Sequence, residues 1–206
     1  MMYPGERFNG YSHLVGALLS LAGLVLLVVY ASLQGNAWNV VAVSIYGATL
    51  VLVYATSTLY HSLRGRAKAV LQRLDHCAIY LLIAGSYTPF ALVTLRGPWG
   101  WSLFGVIWGL ALIGIVQELW IGRRTRVFSM LIYLLMGWLA LIAARPLMTA
   151  LPAGGFAWLL AGGLFYTVGI GFFLYDAKFR HFHGIWHLFV LAGSACQFVS
   201  VFWYVK

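Results

Sequence analysis

The stretch SIYGATLVLVYATSTLYHSL, residues 44–63, is followed after a basic gap by RLDHCAIYLLIAGSYTPF, residues 73–90. Each lies in an apolar run of the length, about 20 residues, that a helix needs to cross about 30 Å of hydrocarbon. Each also carries ionisable side chains at the end that meets the gap. His61 closes the first run, and Asp75 and His76 open the second. Two successive spans joined by a short loop put those ends on the same side of a bilayer.

The same ruler, carried outward along the chain, gives spans near 13–32, 39–61, 75–94, 101–121, 127–144, 155–175 and 184–204. The breaks carry turn or charge signals: Gln34-Gly35-Asn36, Leu63 to Arg73, Arg96-Gly97-Pro98, Gly122 to Arg126, Arg145-Pro146 and Asp176 to His183. All are short. The chain therefore reads as an all-α integral membrane protein, a seven-transmembrane-helix bundle forming one domain over residues 1–206. A multi-pass place in the inner or plasma membrane follows.

Composition points the same way. Hydrophobic residues make up 63% of the 206 positions and charged residues 8%, with a mean hydropathy of +0.90. Soluble domains carry about 25% charged residues. The net charge of +9 could suggest a nucleic-acid partner, but most of the cations sit in short gaps between apolar runs. Anionic lipid and topology account for them better, and no nucleic acid is expected. Cys77 and Cys196 each lie inside an apolar run without metal-ligand spacing and read as packed membrane residues. The first apolar stretch is long and lacks a basic leader, so it is read as a retained helix rather than a cleaved signal.

The Lys/Arg bias orients the bundle. With the N-terminus in the cytoplasm, the inner segments hold Arg7, Arg64, Arg66, Lys68, Arg73, Arg123, Arg124, Arg126, Lys178 and Arg180, ten in all. The outer segments hold Arg96, Arg145 and Lys206, which is three, and the C-terminus falls outside. Glycines at 105 and 109, and at 162, 163, 169 and 171, are read as packing positions between helices. Pro89 should loosen or kink the third span.

Ionisable groups inside a membrane are costly and each needs an account. Ser57 and His61 stand near the inner end of the second span, Asp75 and His76 at the start of the third, and His183 and His187 at the start of the seventh. With the orientation above, all three clusters fall in one layer. His183 and His187 are four apart, so successive helical turns present both imidazoles on one face. His61 could add a third nitrogen, giving the three-ligand pattern of a catalytic zinc with one position open for water. Asp75 could then hydrogen-bond that water or act as its general base, with Ser57 supporting from one turn deeper. Structural roles are expected for His76, about 100° round the helix from Asp75, and for His13 and His181. Glu118 is expected at the interface beside Arg123 or Arg124.

Several segments together resemble the bacterial haemolysin III family, which is related to the progestin and adipoQ receptors and, more widely, to membrane hydrolases that include alkaline ceramidases. They are NGYSHLVGALLS (9–20), the two stretches quoted above, IYLLMGWLALIA (132–143) and HGIWHLFVLAGS (183–194). The resemblance implies a seven-helix fold with a cytosolic-side zinc site. Its ligands would be His61, His183 and His187, with Asp75 and Ser57 completing the polar set. Glu6, Asn9, Ser12 and His13 resemble an entry motif packed beside that site, while VQELW (116–120) departs from the family's pattern.

Two functions are carried forward. One is a zinc-dependent hydrolase of a lipid amide, with membrane lipid as both environment and substrate. The other is a lipid-responsive receptor or regulator of membrane state in which zinc is structural. Cytolysis, implied by the family name, finds little support, because the chain has no amphipathic inserting segment distinct from its spans. A transport path would want polar residues through the outer half, and the sequence offers no such line.

Overall fold

The first helix, α1 (Arg7–Leu33), shows how the bundle is built. It buries Gly10, His13, Gly16, Ser20, Gly23, Leu27 and Ala31, a stripe of mostly small or polar residues spaced three or four apart. Leu18, Leu19 and Leu33 on its other faces are 62%, 64% and 80% exposed. A water-soluble helix reverses this arrangement. In hydrocarbon the large side chains have an apolar medium outside, and small ones inside let helices approach. Gly16 lies under the Tyr54 ring and Leu191, where a Cβ would collide with both.

This computed structural model describes residues 4–120 and 126–206. After α1 come α2 (Ala37–Ser62), α3 (Gly65–Pro89), α4 (Pro98–Trp120), α5 (Arg126–Trp138), α6 (Ala144–Ala150), α7 (Ala153–Leu174) and α8 (Phe182–Tyr204). Each of α1 to α4 packs against the next, α8 closes on both α7 and α1, and α5 touches α3, α4 and α7. Among the described residues, six helices are long and apolar enough to cross a membrane: α1, α2, α3 with its continuation to Thr94, α4, α7 and α8. The protein is a multi-pass membrane protein.

Three expectations are corrected. The span expected over 127–144 is broken: α5 ends at Trp138, a 3-10 turn covers Leu139–Leu141, and α6 departs at 53°. Arg145 and Pro146, expected to mark the break, lie inside α6, whose first turn tolerates a proline. The Tyr87 hydroxyl from α3 serves the backbone near the break. It reaches the Met136 and Gly137 carbonyls at 2.9 and 2.7 Å and accepts from the Ala140 N–H at 2.8 Å.

Helix α3 also begins ten residues before Asp75, at Gly65 with φ 63°. Asp75 is therefore nearly three turns inside the helix, whose first turns precede the span expected from 75. Arg66, Lys68 and Arg73 are good helix formers that a hydropathy ruler discards. Beyond Pro89 the helix widens into a π-helical turn, Phe90–Thr94, in which Leu95 N–H bonds Phe90 O at 2.8 Å. Finally, Gly105, Gly109, Gly163 and Gly171 face open space, and only Gly162 and Gly169 of the named glycines meet a neighbour, α8. Spacing identifies residues that share a face but not which face is turned inward; α4 turns Leu103, Ile107, Ala111 and Gly114 inward instead.

Candidate metal centre

Three histidines from two helices converge where α2 ends and α8 begins. His61 lies in the last turn of α2, and His183 and His187 in the first two turns of α8. One ligand atom from each lies within 4.8 Å of the other two. His61 and His187 are 1% and 0% exposed. Helix α8 starts from His181, a non-glycine in the left-handed region at φ 76°, which turns the chain so that its first turn faces α2.

The Nδ1 atom of every ring is held from outside. His61 Nδ1 bonds Glu6 Oε2 at 2.8 Å, and His183 Nδ1 bonds Asp176 Oδ2 at 2.7 Å. His187 Nδ1 meets the Asn9 carbonyl at 3.1 Å and Ser12 Oγ at 3.2 Å. Carboxylate and carbonyl oxygens only accept, so they assign the proton to Nδ1 and leave a lone pair on each Nε2. All three Nε2 atoms are buried and have no hydrogen-bond partner. Converging buried lone pairs without a donor are costly; a cation held among them removes the cost. Imidazole nitrogens backed by carboxylate or carbonyl partners suit zinc, and other borderline metals share that preference.

The N-terminal segment is stitched into this centre. Glu6 accepts from Asn9 Nδ2 at 2.9 Å and from Lys68 Nζ at 2.8 Å, besides bonding His61. Those hydrogen bonds, His61's foremost, hold the Glu6 carboxyl well below the usual carboxylate range. His13 stacks on His187 with centroids 3.5 Å apart and an interplanar angle of 12°. Both of its nitrogens are buried without partners.

Asp75 is 5% exposed and stands where two cavities meet. One, of about 430 Å³, is bordered by His183, Asp176, Asp75, His76 and Glu118. The other, narrower at about 120 Å³, runs between apolar residues such as Leu82, Ile83 and Val190. Buried Ser57 lies in interaction range of the Asp75 carboxyl without closing a hydrogen bond of ordinary length. The five residues singled out from the sequence thus occupy one end of the bundle, the three imidazoles in mutual reach and Asp75 across the cavity from His183.

Among the other polar groups there, Glu6 belongs to the segment expected beside the site, whereas Glu118 and Asp176 are not among the residues expected at it. Glu118, expected at the interface, is buried and bonds His76 Nδ1 at 2.8 Å and Ser129 Oγ at 3.1 Å. Arg123 and Arg124, its expected neighbours, lie outside the described residues. Glu6 and Asp176 hold the rings of His61 and His183. The signal was available: the chain has only four acids, Glu6, Asp75, Glu118 and Asp176, and three of them bond a histidine Nδ1.

A family profile described as haemolysin-III related matches residues 1–198. The chain is 48% identical over 201 residues to "Hemolysin-3" of Bacillus cereus, covering 97% of this chain and 91% of that protein. It is 44% identical over 200 residues to "Hemolysin-3 homolog" of Bacillus subtilis (strain 168), covering 97% and 93%. It is also 28% identical over 204 residues to the human "Monocyte to macrophage differentiation factor", covering 96% and 83%.

Proposed function

This chain belongs to the haemolysin-III related family and is related to the progestin and adipoQ receptors, and from that premise we propose that it is a zinc-dependent hydrolase of a lipid amide. The observation that carries the proposal is the set of three buried, unpartnered Nε2 atoms together with a buried carboxylate, Asp75, that borders the same cavity as His183 where an apolar cavity joins it. The Lys/Arg count supports a cytoplasmic N-terminus, with the centre in the cytosolic leaflet.

His61, His183 and His187 would hold the metal. When bound, zinc supplies Lewis acidity towards a carbonyl and acidifies a coordinated water. Glu6, Asp176 and the Asn9 carbonyl keep the three rings in one tautomer and aim their Nε2 atoms inward. Asp75 offers a carboxylate oxygen to accept a proton during attack and to return it to the departing nitrogen. Ser57 lies close enough to orient that carboxylate. The apolar cavity holds an acyl chain, and its walls exclude water from everything beyond the reacting carbonyl.

The test has two arms. Detergent-purified protein loaded with zinc is assayed for fatty acid released from ceramides and other lipid amides, wild type beside Asp75→Asn. Asp75→Asn should keep about one zinc per chain and lose activity by about 10²–10⁴-fold. Wild type that releases nothing, with zinc in place, favours a structural metal and hence a receptor or regulator of membrane state.

A further inference from the structure

Facing the metal centre across the large cavity is a polar wall that the mechanism above does not use. It is built from three helices. Glu118 and Gln117 come from α4, Ser129 from α5 and His76 from α3. Glu118 bonds His76 Nδ1 and Ser129 Oγ, and the Tyr80 hydroxyl donates to Gln117 Oε1 at 3.3 Å. Glu118 and Gln117 are 7% and 8% exposed.

Such a network would tie three helices together wherever it stood. Here, however, His76, Gln117, Glu118 and Ser129 all border the cavity of about 430 Å³ that also touches Asp75 and His183. The apolar cavity branches from the same place, because Asp75, Ile79, Met130, Tyr133, Phe173 and Trp186 line both. A molecule with its reacting bond at Asp75 and its chain in the apolar branch has the polar cavity left for its polar end, and this wall forms one side of that cavity.

The wall's chemistry selects among polar ends. The protein's own donors, His76 Nδ1–H and the Ser129 and Tyr80 hydroxyls, are turned onto Glu118 and Gln117. What remains towards the cavity from Glu118 is the spare acceptor capacity of its carboxylate, since Gln117 Oε1 already accepts from both Tyr80 and Ser129. Among the described residues, Arg73 is a cation in electrostatic reach of Glu118, and it is solvent-exposed at the helix surface. We propose that the α3–α4–α5 wall is a head-group subsite for lipids whose polar end carries hydrogen-bond donors, hydroxyls and an amine, and that it rejects the phosphorylated counterpart. A phosphate would face the Glu118 carboxylate with like charge, whereas an ammonium or hydroxyl makes charge-assisted hydrogen bonds to it. The proposal rests on reading the cavity as the substrate chamber.

The experiment is a binding measurement, so it stands apart from turnover. Full-length protein in phosphatidylcholine nanodiscs, corrected for empty discs, is loaded with tritiated sphinganine. The label is displaced with unlabelled sphinganine, sphinganine 1-phosphate or palmitate. Wild type should bind sphinganine about tenfold or more tighter than its phosphate. Glu118→Gln should bring the two within about threefold while leaving palmitate unchanged. The His183→Ala variant should keep the wild-type preference, which separates the head-group subsite from the metal-dependent reaction. If hydrolysis fails but the preference holds, only the catalytic reading falls. Equal affinities in wild type, or a preference untouched by Glu118→Gln, overturn the subsite. Should Glu118→Gln fail to fold, Gln117→Glu, which adds a second carboxylate to the wall, must widen the preference for sphinganine over its phosphate by about threefold or the assignment is wrong.

Discussion

His183 and His76 both border one cavity and share a device. Each holds Nδ1 against a carboxylate, Asp176 at 2.7 Å for one and Glu118 at 2.8 Å for the other. They differ in the second nitrogen. His183 Nε2 is buried without a partner beside the Nε2 atoms of His61 and His187, which share that condition. His76 belongs to no such group; among the described residues the metal-capable cluster is His61, His183 and His187. A carboxylate behind a histidine therefore fixes a tautomer wherever it occurs. A metal centre needs several rings so fixed and aimed at one point.

That contrast can be broken by measurement. The largest effect belongs to the ligands: His187→Ala should drop zinc from about one per chain to below about a tenth, while His76→Ala should leave it near one. Elemental analysis of purified protein reads both, and loss of zinc from His76→Ala would erase the distinction. Next come the groups behind the rings. Glu6→Gln and Asp176→Asn should each weaken zinc by about 10–100-fold in a chelator competition. If neither does, orientation through Nδ1 contributes nothing and convergence alone makes the centre. The smallest effect is expected at His13, which stacks on His187 but has no held nitrogen. His13→Phe keeps a flat ring there and should change zinc affinity by less than about threefold. A tenfold loss would mark His13 as a member of the centre.

Much of the architecture was legible because hydrocarbon imposes a simple length rule, and α1, α2, α4, α7 and α8 follow it closely. The rule failed where its assumptions did. It trimmed α3 at the basic residues Arg66, Lys68 and Arg73, which carry the helix out of the apolar layer. It also merged α5 with α6, since the Leu139–Leu141 turn is as apolar as its flanks. Pro146 misled in the opposite sense, sitting in a first turn that accepts it.

The histidine pair on α8 was legible because a four-residue spacing fixes relative direction within one helix. His76 and Glu118 were not, for the complementary reason. Their pairing depends on how α3 rotates against α4, a packing outcome that no single helix records. Glu6 and Asp176 lie outside the long helices, and only the folded chain shows which rings they reach.

The centre draws on both ends of the polypeptide: Glu6, Asn9 and His61 are made early, and His183 and His187 near the end. An assembling chain holding only α1 and α2 presents one imidazole already clasped by Glu6, too little to retain an ion. On the zinc reading proposed above, metal acquisition would be the final act of biogenesis, after α8 has entered the membrane. Any product of interrupted synthesis lacks α8, and with it two of the three rings of the centre.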